Sequence, residues 1–160
     1  MKHNPVIFYT TAFFIVVADQ LTKLWIRSSL EIGETLWEWG IFRINRIPPN
    51  TGAAFGLFRN FQSVLAVFSA VSAVVIVIAA VYLWRRYPLL YTRMTQLMLG
   101  LVLGGTLGNL VDRLQPKLGG VTDFITISIW PSFNIADASI VVGILVFVYY
   151  LLRLMRDGKI

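Results

Sequence analysis

The stretch FNIADASIVVGILVFVYYLL, residues 133–152, sets an aspartate, Asp137, at the head of a run that is otherwise at home in lipid. Crossing the hydrocarbon of a bilayer takes about 20 mostly apolar residues as a helix. Four stretches of this kind are present, at 5–26, 61–84, 94–112 and 134–154. The whole composition agrees. Of 160 residues, 57% are hydrophobic and 14% charged, with mean hydropathy +0.72, whereas a soluble domain is roughly a quarter charged. The fold class expected is a membrane all-α protein of four transmembrane helices, forming one domain over residues 1–160. The first span follows Lys2 as a signal-peptide core would, but no small-residue cleavage site follows it and three further spans do, so it is read as retained.

Four spans put both termini on one side. That side holds Lys2, Arg85, Arg86, Arg93, Arg153, Arg156 and Lys159 in short tails and one tight loop, and of the eight acids only Asp157. Basic residues dense at helix ends mark the cytoplasmic face, so both termini are expected there. The net charge of +6 then points to phospholipid at the inner leaflet and away from nucleic acid. On the other face, TLWEWGIFRINRI alternates Trp37, Trp39 and Ile41 with Glu38 and Gly40, and ITISIW alternates Ile125, Ile127 and Ile129 with Thr126 and Ser128. Period two predicts strands. Open sheet edges are not tolerated in hydrocarbon, so a small β-sheet is expected on the outer membrane surface, with Trp37, Trp39 and Trp130 as interfacial anchors.

The chemistry available is narrow. There is no cysteine, and the only histidine, His3, lies in the N-terminal tail. Thiolate chemistry and a histidine-activated Ser or Thr are thereby excluded. Asp19 and Lys23, Asp112 and Arg113, Asp123 and Asp137 fall at the outer ends of spans one, three and four. An ionised group in a span costs about 2.5–3.5 kcal/mol on insertion scales, so a cluster of them suggests a functional site facing the bundle interior. Each also has a plainer account. Asp19 and Lys23 have the spacing of an i, i+4 helix ion pair; Asp112 and Arg113 could meet water at a helix end; Asp123 could be a turn aspartate. With Asn134 as N-cap, Asp137 is the N3 residue, where a carboxylate suits exposed amides and the macrodipole. The same geometry turns Asn134 and Asp137 to one helix face, and the alternating segment after Asp123 could deliver that residue beside them. Two carboxylates held close in little water share one proton, which supplies an acid and a base without histidine. An all-oxygen magnesium site is the competing hydrolytic arrangement; neither metal nor cofactor is expected.

Gly100, Gly104 and Gly108 stand four residues apart in GLVLGGTLG, a small-residue stripe that lets helices approach closely, with a weaker version at Ala66 and Ala70. PPNTGAAFG is turn-like at Pro48, Pro49 and Asn50, and Gly52 permits close approach. Taken in order, DQLTK at 19–23, NTGAAFG at 50–56, GGTLGNLVDR at 104–113, VTDF at 121–124 and FNIADA at 133–138 resemble the signature blocks of the bacterial lipoprotein signal peptidase, signal peptidase II. The resemblance covers nearly the whole chain, apart from the unexpected Pro48 and Pro49.

That resemblance implies an aspartyl endopeptidase of the bacterial inner membrane, with its site near the periplasmic face and a small sheet lying on the membrane. It would remove the signal peptide of a diacylglyceryl-modified prolipoprotein, just before the lipid-modified cysteine, and be inhibited by globomycin. By motif, Asp123 and Asp137 become the catalytic pair. Asn50, Gly52, Asn109, Asp112, Arg113, Asn134 and Ala136 would shape the site or position substrate, and Asp19, Lys23, Gly104, Gly105 and Gly108 would support it. Its partners would be a lipidated prolipoprotein and phospholipid, the enzyme acting as a monomer and gated by an outer segment around residues 40–60. The alternatives are a small transporter or proton-conducting subunit, because intramembrane acids also mark ion paths, and an inactive scaffold whose carboxylates only cap and pair.

Overall fold

In the computed structural model, residues 5–52 and 62–158 are described. Lys2, His3, Lys159, Arg59 and the AAFG part of the NTGAAFG block, with the rest of 53–61, lie outside the described residues. Among the described residues, four helices are long and apolar enough to cross a membrane: α1 (Val6–Ser29), α2 (Gln62–Arg86), α3 (Arg93–Arg113) and α4 (Ile135–Arg156). Each overlaps one predicted span and overruns it by a few residues, because capping and polar residues extend a helix beyond its apolar stretch.

α3 is the central helix. It packs against α1, α2 and α4, and 56% of its apolar window is buried against 17–28% in the other three. Glycine makes this possible. A Cβ on Gly100 would stand 2.7 Å from the Phe8 carbonyl, one on Gly104 2.7 Å from Ile15 Cβ, and one on Gly108 2.7 Å from Asp19 Oδ2, so the four-residue stripe faces α1. Gly105, one position off the stripe, faces α4 instead, where a Cβ would collide with the Ala136 carbonyl. Backbones this close gain dispersion contacts that larger residues would block. On α2 the expectation is corrected in part: Ala66 is buried but Ala70 is exposed, and the buried face continues through Ser69, Ala73, Ala80 and Trp84. The i, i+4 step from Ala66 is taken on the opposite side of Ser69, because the face facing α3 follows i+3 and i+7.

The described residues also form a three-stranded antiparallel sheet in the order β1 (Thr35–Trp39), β2 (Phe42–Asn45), β3 (Ile125–Ile127). Trp37 pairs with Ile44 and Trp39 with Phe42; Phe42 pairs in turn with Ile127 and Ile44 with Ile125. The predicted alternation through Ile41 breaks here. Gly40, at φ 59°, and Ile41 form a tight turn, so the segment is a hairpin and not one long strand. β3 is likewise short, since Ser128 takes a positive φ of 48° and throws Ile129 out, fully exposed. After β2 the chain passes Pro48 and Pro49 without regular secondary structure and reaches an isolated bridge between Asn50 and Val121.

Candidate active site

Three segments converge where α3 ends and α4 begins. The first is the start of α4, whose N-cap forms as the sequence reading expects: Asn134 Oδ1 accepts the Asp137 N–H at 2.9 Å, and the Asn134 N–H is 3.3 Å from Asp137 Oδ2. The second is the loop 121–124. It is tied to Asn50 by a pair of backbone bonds, Asn50 N–H to Val121 O at 2.8 Å and Val121 N–H to Asn50 O at 3.0 Å. Gly120 admits this approach, for a Cβ there would lie 2.6 Å from the Asn50 carbonyl oxygen. The third is the last turn of α3, carrying Asn109, Asp112 and Arg113.

Three asparagine amides hold the carboxylates. Asn134 Nδ2 donates to Asp123 Oδ1 at 2.7 Å and to Asn109 Oδ1 at 3.1 Å, while Asn109 Nδ2 donates to Asp137 Oδ1 at 2.7 Å. Asn50 Nδ2 donates to Asp123 Oδ2 at 3.0 Å, and the orientation of that amide is fixed because its oxygen accepts the Gly52 N–H at 3.0 Å. All four carboxylate oxygens therefore have donors, and Asp123 and Asp137 are neighbours across the side chain of Asn134. Asp123 is buried and Asp137 partly exposed. Burial first, and the Asp137 charge second, push the Asp123 carboxyl up to about 7, against the opposing pull of Asn50, Lys23 and Asn134.

Beneath the pair lies a buried ionic cluster. Lys23 Nζ is 2.8 Å from Asp19 Oδ2 and 3.4 Å from Asp112 Oδ2, with all three side chains fully buried. The i, i+4 pair predicted for Asp19 and Lys23 is present, but it is half of a larger arrangement. Asp112 is turned inward to Lys23, to Gln20 Nε2 at 3.1 Å and to the Thr122 N–H at 2.9 Å, so it shapes the site from below. Ala136 is fully buried against Gly105 and Gly108. Arg113 stands apart from this cluster: Nη1 donates to Ser69 Oγ on α2 at 3.0 Å, while its charge acts on Asp137, Asp123 and Asp112. Gln20, Arg27, Ser69 and Thr122 were not singled out from the sequence. Gln20 had a legible signal, a polar side chain inside a span; Ser69 and Thr122 had none. Among the described residues no three His, Cys, Asp or Glu are grouped so as to hold a metal ion.

The family described as "Signal peptidase (SPase) II" matches residues 11–153 of this chain, a range that takes in every residue of the site. The chain belongs to the signal peptidase II family. It is therefore a multi-pass membrane peptidase. Among its relatives is a lipoprotein signal peptidase of Dehalococcoides mccartyi (strain CBDB1), 41% identical over 145 residues, covering 91% of this chain and 88% of the relative. That of Moorella thermoacetica is 40% identical over 145 residues, covering 91% and 92%. Two solved structures share the fold. "Bacterial membrane enzyme structure by the in meso method at 2.3 A resolution" superposes with a TM-score of 0.79 at 30% identity, covering 95% of this chain and 91% of that one; its counterpart at 1.9 Å gives 0.74 at 28%, covering 91% and 92%. Asp112, Asp123 and Asp137 are gathered in one place, at the end of α3 and the start of α4.

Proposed function

We propose that the protein is an aspartyl endopeptidase that removes signal peptides from diacylglyceryl-modified prolipoproteins, cutting just before the lipid-modified cysteine. The observation that carries this reading is the convergence of Asp123 and Asp137 on Asn134. Asp137, the more exposed carboxylate, acts as the base. It takes a proton from a water molecule as that oxygen attacks the scissile carbonyl. Asp123, whose burial favours the protonated form, donates a hydrogen bond to the carbonyl oxygen and stabilises the developing oxyanion. Collapse of the tetrahedral intermediate breaks the C–N bond, and the proton held by Asp137 passes to the departing amine of the cysteine residue. Asn50, Asn109 and Asn134 keep both carboxylates aimed, and Arg113 sets a positive charge at the rim.

The setting suits such a substrate. Its lipid and its apolar signal helix already lie in the bilayer, so a site at one end of the helices, open sideways to lipid, meets them without extraction. In this reading the termini are cytoplasmic, the site and sheet lie at the periplasmic face of the bacterial inner membrane, and Trp37, Trp39 and Trp130, all well exposed, rest in the interface. One chain surrounded by phospholipid supplies every residue invoked. The gathering of carboxylates at one end of the helices favours hydrolysis over ion conduction, which needs polar groups through the whole depth. Asp123→Asn and Asp137→Asn, each purified and given a lipidated prolipoprotein, are expected to lose about 1,000-fold or more in kcat while keeping the thermal midpoint of a folded protein. Normal turnover by either one refutes the pair.

A further inference from the structure

Asp19 and Asp112 take no direct part in the proposed chemistry, yet each does the same thing for one member of the pair. Asp19 Oδ1 accepts the N–H of Ala136, the residue before Asp137, at 3.0 Å. Asp112 Oδ2 accepts the N–H of Thr122, the residue before Asp123, at 2.9 Å. Lys23 Nζ stands between the two acids, 2.8 Å from one and 3.4 Å from the other, and donates its third bond to Asn109 Oδ1 at 3.0 Å. Asn109 in turn holds Asp137 Oδ1 at 2.7 Å. An ammonium has three donors, and here each leads to the carboxylate pair by a separate route.

We propose that Lys23 is a positioning residue: by clamping Asp19 to Asp112, its ammonium sets the separation and relative orientation of Asp123 and Asp137. This rests on the reading of those two residues as the reactive pair. Gln20 Nε2 also bridges Asp19 Oδ2 and Asp112 Oδ1, at 3.1 Å each, but its further bond goes to the Gly108 carbonyl and not to Asn109, which holds Asp137. Of the two acids Arg27 Nη1 reaches Asp112, at 3.6 Å, from a partly exposed side chain, and it donates to Thr122 Oγ1 at 2.9 Å. Without the Lys23 ammonium, the group that joins Asp19, Asp112 and Asn109 is gone, and restoring charge balance at Asp19 does not replace that clamp. Since one acid grips the first turn of α4 and the other grips the loop 121–124, their separation is passed directly to Asp137 and Asp123. Reaction rates are sensitive to such shifts, a misplacement of about 1 Å being worth on the order of 100-fold.

The test compares Lys23→Met with the double variant Lys23→Met/Asp19→Asn, as full-length proteins acting on a lipidated prolipoprotein, reading kcat, KM and thermal midpoint. The cluster of Asp19, Asp112, Lys23 and Arg27 is balanced in charge; the single variant leaves one excess negative charge, and the double variant removes it while keeping an oxygen for the Ala136 N–H. Expected for Lys23→Met is a fall of about 100-fold in kcat with KM little changed and a lowered midpoint. The double variant recovers the midpoint and stays slow. Recovery of kcat together with stability in the double variant overturns the proposal, because charge balance alone would then account for Lys23. Wild-type kcat in Lys23→Met also overturns it. Should the single variant not fold, the double variant decides by the same criterion. Asp137→Asn run in parallel separates the two readings: if it cleaves normally the reactive pair is wrong, and if it is inactive while Lys23→Met is unimpaired only the positioning role fails.

Discussion

Asp123 is where burial becomes chemistry. Its carboxyl is pushed up to about 7, by desolvation and then by Asp137, from an ordinary value of 3.8. The native state therefore holds the proton more tightly than the unfolded chain, so this group's contribution to stability is complete below 3.8 and is lost as pH rises through about 7. If the protonated form is the acid of the reaction, kcat falls over the same interval, giving an alkaline limb near pH 7. Asn50 opposes the shift, since its Nδ2 bond to Oδ2 favours the ionised form. Removing that donor by Asn50→Ala is expected to raise the carboxyl further and move the alkaline limb to higher pH, with lower kcat at the optimum because one aiming contact is gone. A pH–rate profile of the variant beside the parent checks this, and a limb displaced toward acid would contradict it. The pairing of Asn134 with Asp137 was legible at this scale, because capping is local. The pairing of Asn134 with Asp123 was not, since nothing in the spacing of VTDF and FNIAD sets the direction of the intervening loop.

Among the elements, α3 carries the architecture and α4 begins with Asn134 and Asp137. Gly105 on α3 and Ala136 on α4 are in backbone contact, and Ala136 is the residue from which Asp137 projects. Gly105→Ala adds one methyl where there is no room for it. Overpacking of this kind costs about 1–3 kcal/mol, and here relief requires α4 to move away from α3 at its first turn. Gly105→Ala is accordingly expected to lower the thermal midpoint and to reduce kcat more than it raises KM, as measured by unfolding in detergent and by turnover. A variant with parental stability and rate would show that the contact is looser than described. The glycine stripe was readable as a packing signal from its four-residue spacing, but its division between two partners was not, because a helix surface does not say which neighbour it meets. The strands illustrate the opposite failure. Alternation suggested one strand through Ile41, whereas the left-handed backbone at Gly40 turns the chain into a hairpin; a strand with both faces exposed has no buried side to enforce period two.

For the molecule as a whole, the charged groups divide by end. Arg86 and Asp157 lie exposed at one end of the bundle, and Lys117 lies exposed beyond α3 at the other, near the site. Because the chain has no cysteine, single cysteines report sidedness without background. In intact cells, a membrane-impermeant maleimide is expected to label Lys117→Cys and to leave Arg86→Cys unlabelled until the membrane is opened; the reverse pattern would invert the proposed topology. The number of spans, their approximate limits, the ends at which charge collects and the cap of α4 were determined by the sequence alone, since hydrocarbon thickness and local helix capping act on contiguous residues. Only the tertiary structure decided that Asp19, Lys23, Asp112 and Gln20 form one buried cluster, and that Asn134 stands between Asp123 and Asp137. Those arrangements bring together residues from α1, α3, α4 and two loops, and contacts between segments so far apart in the chain are set by how backbones pack around the α3 glycines, which no local pattern encodes.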